Sequence, residues 1–194
     1  MSTYFHLDSL FRDRETWPNP ASYEVKPDQV ATWFRQARSV RAHPQNPSTS
    51  PLEFVSSINL HHLIIPYDAS FVGLPVLYVE FRSKKYNDIH LVHSIEGNKA
   101  DVQYVCVLEK IQNDSAGDPM WIHFRSTMEQ VMRFRRGDEI IFKVTTRDGS
   151  VLPNVDTLVP IAADPNKQIL ATFDVIPYIR DGDYDNHMKE TVVT

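Results

Sequence analysis

Histidine is the residue type in this 194-residue chain that most readily suggests chemistry, since it occurs eight times. His90 and His93 are three positions apart, with Asp88 nearby and His123 further along the chain. Two histidines and one carboxylate are an established ligand set for a divalent metal ion. Surface or interface histidines are the simpler interpretation of this spacing. We therefore expect neither a metal nor any other cofactor.

Two other groups of residues imitate part of a metal site. His61 and His62 are adjacent, and neighbours in a strand point to opposite faces, so they are not expected to bind one ion together. Asp181, Asp183 and Asp185 have the spacing that opens a calcium loop. The glycine and the glutamate that follow in such a loop are missing, so a solvated acidic tail is the simpler prediction.

Nucleophilic catalysis has little support in the sequence. Cys106 is the only cysteine and lies between two valines, which predicts a buried, inert thiol and excludes an internal disulfide. The sequence has no Gly-x-Ser-x-Gly element, and its six glycines form no phosphate-binding loop. We expect a protein that is not an enzyme.

Charge and hydropathy limit the classes of partner. There are 20 basic and 25 acidic residues, so the formal net charge is −5, and we do not expect nucleic acid as a partner. The one dense basic cluster contains Arg133, Arg135 and Arg136, and a solvated or acid-paired face is the more common role of such a cluster. The longest uncharged apolar run, Phe71–Val79, is too short to span a membrane.

Alternation with a period of two residues begins at Glu53 and predicts the elements that would position these side chains. In the first predicted strand, Phe54, Ile58, Leu60 and Ile64 share one face. The predicted strands are Glu53–Pro66, Val76–Arg82, Val102–Lys110, Trp121–Arg125, Glu139–Thr146 and Gln168–Ile179.

Two short segments complete this pattern. Ser126–Phe134 is compatible with a strand or with a single helical turn, and a strand or turn is preferred to a longer helix. Arg147–Ser150 contains the Asp-Gly pair typical of a tight hairpin. About eight strands without a strand–helix–strand rhythm predict an all-β fold, an antiparallel β-sandwich.

The chain is predicted to have three parts. Residues 1–51 form an extended, proline-rich N-terminal arm and linker, in which the spacing of Val30, Trp33, Phe34 and Ala37 predicts one short helix. Residues 52–180 form the β body, and residues 181–194 form a polar tail. We expect the body to fold without the arm.

Aromatic and arginine residues are concentrated in the predicted arm, and both types are enriched at protein interfaces. Such an arm must dock on its own body or on a neighbouring protein, and the sequence leaves both possibilities open. The aromatic residues are Tyr4, Phe5, Phe11, Trp17, Tyr23, Trp33 and Phe34.

The opening of the chain resembles structural proteins of large icosahedral DNA viruses. The similar segments are Leu7–Arg14, with its Asp-Ser and Arg-Asp-Arg elements, Trp17–Val25, with its Pro-Asn-Pro turn, and Val55–Leu60. The resembling proteins belong to the algal-virus and giant-virus group and include minor capsid proteins with a single jelly-roll body. The resemblance covers about the first 65 residues.

The resemblance implies a non-enzymatic minor capsid component that braces or connects capsomers, or the penton subunit. Its partners would be the major capsid protein and other minor capsid proteins, and a penton would be a homopentamer. It would reside in the virion capsid after assembly in the host cytoplasm. Asp8, Arg12, Asp13 and Arg14 would form ion pairs between subunits. The other interface residues would be Phe11, Trp17, Tyr23 and Trp33, with Trp17 and Tyr23 as buried anchors.

Two alternatives are consistent with a β-sandwich. A ligand-binding module, for example one for carbohydrate, would present exposed aromatic residues, for which Tyr78, Tyr104 and Trp121 are candidates. A cupin-like metalloenzyme would instead direct several histidines into the interior of its barrel.

Overall fold

A computed structural model describes residues 3–25, 53–71, 73–84, 91–95, 98–113, 119–135, 139–156 and 162–177. Within these residues, helical structure is confined to three 3₁₀ turns, Ser9–Phe11, Ala69–Phe71 and Pro165–Lys167. The strands are β1 (Thr3–Asp8), β2 (Ser22–Val25), β3 (Glu53–Pro66), β4 (Val76–Ser83), β5 (Leu91–Ile95), β6 (Asn98–Val102), β7 (Tyr104–Asn113), β8 (Pro119–Arg125), β9 (Glu129–Arg135), β10 (Ile140–Thr145) and β11 (Leu170–Pro177).

Nine strands form one antiparallel sheet in the order β1-β11-β3-β8-β7-β4-β10-β2, with β9 beside β3. The 14-residue strand β3 accommodates two neighbours along one edge. Its first half, Glu53–Asn59, pairs with β9, and its second half, His62–Pro66, pairs with β8. Strands β5 and β6 form a separate two-stranded sheet.

The large sheet curls so that its inner face encloses the core. The rings of Phe81 on β4 and Phe173 on β11 lie 4.6 Å apart between centroids, although three strands separate β4 from β11 in the sheet. Tyr104 on β7 donates a buried hydrogen bond of 2.9 Å to the carbonyl of Ile58 on β3. The predicted all-β antiparallel class is confirmed.

The short segments that the sequence left open have definite structures. Glu129–Arg135 is a strand, so the strand interpretation of Ser126–Phe134 is confirmed for most of that segment. The Asp-Gly turn is also confirmed: the Thr146 amide donates to the Ser150 carbonyl at 2.9 Å, and Gly149 has φ 83°. Glycine suits that positive φ because it has no Cβ.

The predicted boundary at residue 51 is wrong as a boundary of the fold. Strand β1 pairs with β11, and β2 pairs with β10, so the N-terminal segment supplies two strands of the main sheet. Leu7, Ala21, Tyr23 and Val25 are buried in the same core as the later strands. The predicted short helix and the predicted tail lie outside the described residues.

A β-bulge interrupts strand β3 at His61. Thr172 of β11 pairs with His62, and the next residue, Phe173, pairs with Leu60, which leaves His61 as an extra residue. The prediction that His61 and His62 point to opposite faces is wrong, because their rings lie only 6.5 Å apart between centroids. A bulge re-aims a side chain in this way.

Because of the bulge, the inner face of β3 differs from the predicted one. Ile58 and Leu60 are buried as expected, but beyond the bulge the buried residues are Leu63 and Ile65. Ile64, predicted to share the inner face, is only half-buried. One inserted residue exchanges the two faces of a strand because side chains alternate with a period of two.

Candidate interaction surface

The segment of residues 9–18, here called the Phe11 loop, is fixed by one buried side chain. Arg12 is 6% exposed and uses all of its guanidinium donor atoms within the chain. Three of its five partners lie within the loop and two lie far along the chain, so Arg12 both closes the loop and holds it against the body. Its hydrogen bonds run from Nε to the Trp17 carbonyl (2.8 Å), from Nη1 to the Ser9 carbonyl (2.7 Å) and Gln168 Oε1 (2.6 Å), and from Nη2 to the Pro18 carbonyl (2.8 Å) and Asp156 Oδ2 (2.6 Å).

Asp156 is the carboxylate at the centre of this network. Arg14 is its second cationic partner, with Nε 3.2 Å from Oδ2 and Nη2 3.3 Å from Oδ1. Burial alone would raise the pKa of Asp156, but hydrogen bonds from Arg12 and Gln168 and the two guanidinium charges hold that pKa below its ordinary value. Arg12 and Arg14, which were expected to form ion pairs between subunits, thus both bind Asp156 of the same chain.

The remaining polar residues of the predicted interface also make local contacts. Asp8 Oδ1 accepts a hydrogen bond of 2.9 Å from the Leu10 amide and caps the first 3₁₀ turn. Asp13 accepts the Thr16 hydroxyl at 2.6 Å and the Glu15 amide at 3.2 Å. Side chains of this type stabilise turns by such short-range bonds. Trp33 lies outside the described residues.

The two predicted aromatic anchors are anchored within the chain itself. Tyr23 is 4% exposed, and its ring lies 5.2 Å from that of Phe142 between centroids. Burial is the main reason that the pKa of Tyr23 is raised. Trp17 is half-buried and packs against the core. The interpretation in which these aromatics dock on the chain's own body is the one that the structure supports.

Trp17→Ala should therefore lower the free energy of unfolding of the isolated protein by about 2 kcal/mol, because packing against the core is lost. Chemical denaturation measures this change. The signal should be far-UV circular dichroism, because the substitution removes a tryptophan and alters the fluorescence. An unchanged unfolding midpoint would contradict the packing of Trp17 on its own body.

Phe11 differs from Trp17, the other aromatic residue of the loop, because its ring is exposed. Its exposed fraction, 74%, is the highest among the large apolar side chains of the described residues. The turn beneath it is closed by a hydrogen bond of 3.2 Å from the Arg12 amide to the Ser9 carbonyl. An apolar ring is thus presented to solvent on a backbone that the Arg12 network holds in place.

The histidines of the large sheet lie on its outer side. His6 is exposed and its Nδ1 is 3.0 Å from Thr172 Oγ1, and His62 is exposed as well. His123 lies 3.1 Å from Gln112 Oε1, and partial burial, followed by the Lys110 charge, lowers its pKa. The cupin-like interpretation requires histidines directed inward, so these positions do not support it.

The metal ligand set suggested by the sequence is not assembled in the part of the chain that the structure describes. Across the described ranges, no three or more His, Cys, Asp or Glu residues are grouped so as to hold a metal ion. Asp88 and His90 lie outside those ranges. His93 is part of β5, and His123 is on β8.

A carbohydrate-binding module was expected to expose three aromatic side chains, and for two of the three that prediction is wrong. Tyr104 is fully buried and Tyr78 is 8% exposed. Only Trp121 is partly accessible. The ligand-binding alternative thereby loses the side chains on which it rested.

Cys106 is fully buried, as predicted, and burial raises the pKa of its thiol to about 12. We expect the folded protein to resist a thiol reagent at about pH 8, because the reactive thiolate is scarce and shielded. Ellman's reagent should react with one thiol per chain only after denaturant is added. Rapid labelling of the native protein would contradict the burial of this side chain.

Comparison with known proteins found no matching family model and no matching curated protein. In the portion of the chain described by the structure, no helix is long and apolar enough to cross a membrane.

Proposed function

We propose that this protein is a non-enzymatic structural subunit of an icosahedral virion, built on a single jelly roll. The strand pairing carries the proposal. Four strands are paired in the order β1-β11-β3-β9. Four others are paired in the order β2-β10-β4-β7. These are the two four-stranded orders of a double Greek key, with β8 joining the sets and the β5–β6 hairpin added between β4 and β7.

The jelly roll is used by capsid proteins, lectins and cupins, so the strand order alone does not choose among them. The resemblance of Leu7–Val25 to structural proteins of large DNA viruses favours the capsid. The structure adds that this segment belongs to the body, since it contains the end of β1, the Phe11 loop and β2. The proposed role is a minor capsid component that braces or connects capsomers, or a pentameric penton subunit.

Phe11 is the proposed contact to neighbouring capsid proteins, including the major capsid protein. An aromatic side chain that fills a partner's pocket is typical of an interface hot spot. Because the Arg12 network already fixes the loop, little conformational entropy is lost when Phe11 docks. The interface residues predicted from the sequence are thus reassigned: Arg12, Arg14 and Trp17 support the loop, and Phe11 makes the contact.

Phe11→Ala should leave the melting temperature of the isolated subunit nearly unchanged and reduce its incorporation into particles. Loss of one aromatic anchor costs about 2 kcal/mol or more at an interface, which is more than tenfold in affinity. Cells that produce wild-type and variant chains together allow the ratio of the two in purified particles to be measured by mass spectrometry.

Val107→Ala is the matched control, since Val107 is an apolar residue that is 54% exposed on β7. It should be incorporated as well as the wild-type chain. Equal incorporation of the Phe11 variant would contradict the proposed contact.

A further inference from the structure

Three side chains on the outer face of the sheet bring buried polar atoms together without satisfying them. Asn59 Oδ1, His61 Nε2 and Asp174 Oδ1 are inaccessible to solvent and have no hydrogen-bond partner among the described residues. Asn59 and Asp174 are directly opposite each other on β3 and β11. His61 Nε2 lies 3.9 Å from the second carboxylate oxygen of Asp174, Oδ2.

The bulge in β3 creates this arrangement. His61 is the inserted residue, and its ring is turned toward Asp174 on β11 and toward Tyr4 on β1, whose ring centroid is 5.8 Å away. In an unbulged strand, a residue adjacent to Leu60 and His62 could not share a face with His62. Bulges next to functional sites commonly re-aim one side chain in this way.

The three unsatisfied atoms share one chemical character, because each can offer a lone pair. A carboxylate oxygen and an amide oxygen are acceptors, and an imidazole nitrogen is an acceptor in its deprotonated form. Asp174 is 7% exposed, and a buried carboxylate is normally paired with a cation or bound to a metal. A hydrogen bond donated by the His61 ring to Asp174 would give those two side chains a partner, but Asn59 Oδ1 would still lack a donor.

We propose that Asn59, His61 and Asp174 form a binding site for one divalent transition-metal ion of the zinc type. One imidazole nitrogen and two oxygens suit such an ion. Ligand bonds of about 2.1 Å place two tetrahedral ligands roughly 3.4 Å apart. The 3.9 Å separation of His61 and Asp174 therefore closes with a small side-chain rotation. Three protein ligands leave the remaining coordination position to water.

His62 provides a matched control on the same bulge. It is the adjacent residue, it is more exposed than His61, and its Nδ1 faces Glu109 Oε2 at 3.8 Å. Glu129, opposite Asn59 on β9, is engaged by the Ser57 hydroxyl. The proposed site thus depends on His61 and Asp174 and is independent of His62.

The test is a titration of untagged, chelator-treated full-length protein with zinc chloride, followed by calorimetry. We expect one saturable equivalent, an affinity at least about tenfold lower in both His61→Ala and Asp174→Asn, and no comparable change in His62→Ala. Absence of saturable binding, or an equal loss in His62→Ala, would overturn the proposal. A melting temperature that responds to pH but not to zinc would also overturn it, because a proton would then be the only cation of the cluster.

X-ray absorption of the zinc-loaded wild-type protein keeps the proposal falsifiable if a variant fails to fold. A first shell with one imidazole and otherwise oxygen ligands is expected. A shell with two or more imidazoles would place the ion on the other surface histidines and would overturn the assignment.

Discussion

A chain that begins at residue 51 is expected to have no cooperative thermal transition. Such a chain lacks β1 and β2, and its β11 and β10 would each lose a paired neighbour. It also lacks the buried side chains of Leu7, Tyr23 and Val25. Burial of a large apolar side chain stabilises a fold by about 1.5–3 kcal/mol, and the net stability of a domain is about 5–15 kcal/mol.

Differential scanning calorimetry and proton NMR of the truncated and full-length chains measure this effect. The full-length chain should show one sharp transition and dispersed amide resonances. The truncated chain should show neither. A cooperative melt of the truncated chain would contradict the assignment of β1 and β2 to the core and would restore the boundary that the prolines suggest.

Arg12→Ala should lower the free energy of unfolding by about 3–5 kcal/mol. The substitution removes the fully buried one of the two cationic partners of Asp156, and removing one partner of a buried ion pair is strongly destabilising. It also removes the guanidinium donors to the Ser9, Trp17 and Pro18 carbonyls. Urea denaturation of the variant and the wild-type protein measures the difference.

Lys84→Ala is the matched control for the loss of a cation. Lys84 also contacts two carboxylates, Glu24 at 2.5 Å and Glu139 at 3.0 Å, but its side chain is 40% exposed. Exposed ion pairs contribute little to stability, so its unfolding midpoint should change only slightly. If Arg12→Ala and Lys84→Ala had equal effects, the Arg12 network would not fix the Phe11 loop.

Hydrophobic alternation predicted most strands of the body because it is a local property of the sequence. Ile140, Phe142 and Val144, for example, alternate along β10 and are all buried. Strand β1 escaped prediction because it is a six-residue edge strand followed at once by a 3₁₀ turn, and its order depends on pairing with β11. The exchange of faces in β3 could not be predicted because the bulge is visible only against its partner strand.

The contacts of the candidate surface could not be predicted from local sequence patterns either, because they join residues that are far apart in the chain. The sequence drew attention to Arg12 and Phe11 through residue type, but Asp156 and Gln168 are more than 140 positions away from Arg12. Without those partners, a buried arginine and an interface arginine look alike. The pairing of Asn59 with Asp174 across β3 and β11 likewise has no signal in the sequence.

The proposed structural role is tested most directly by the copy number of this chain in purified particles of a virus whose genome carries the sequence. Quantitative mass spectrometry with the major capsid protein as internal reference gives that number. The account predicts a fixed integral ratio to the major capsid protein that persists through repeated density gradients. Absence of the chain from particles, or a variable trace that declines with each gradient, would contradict it.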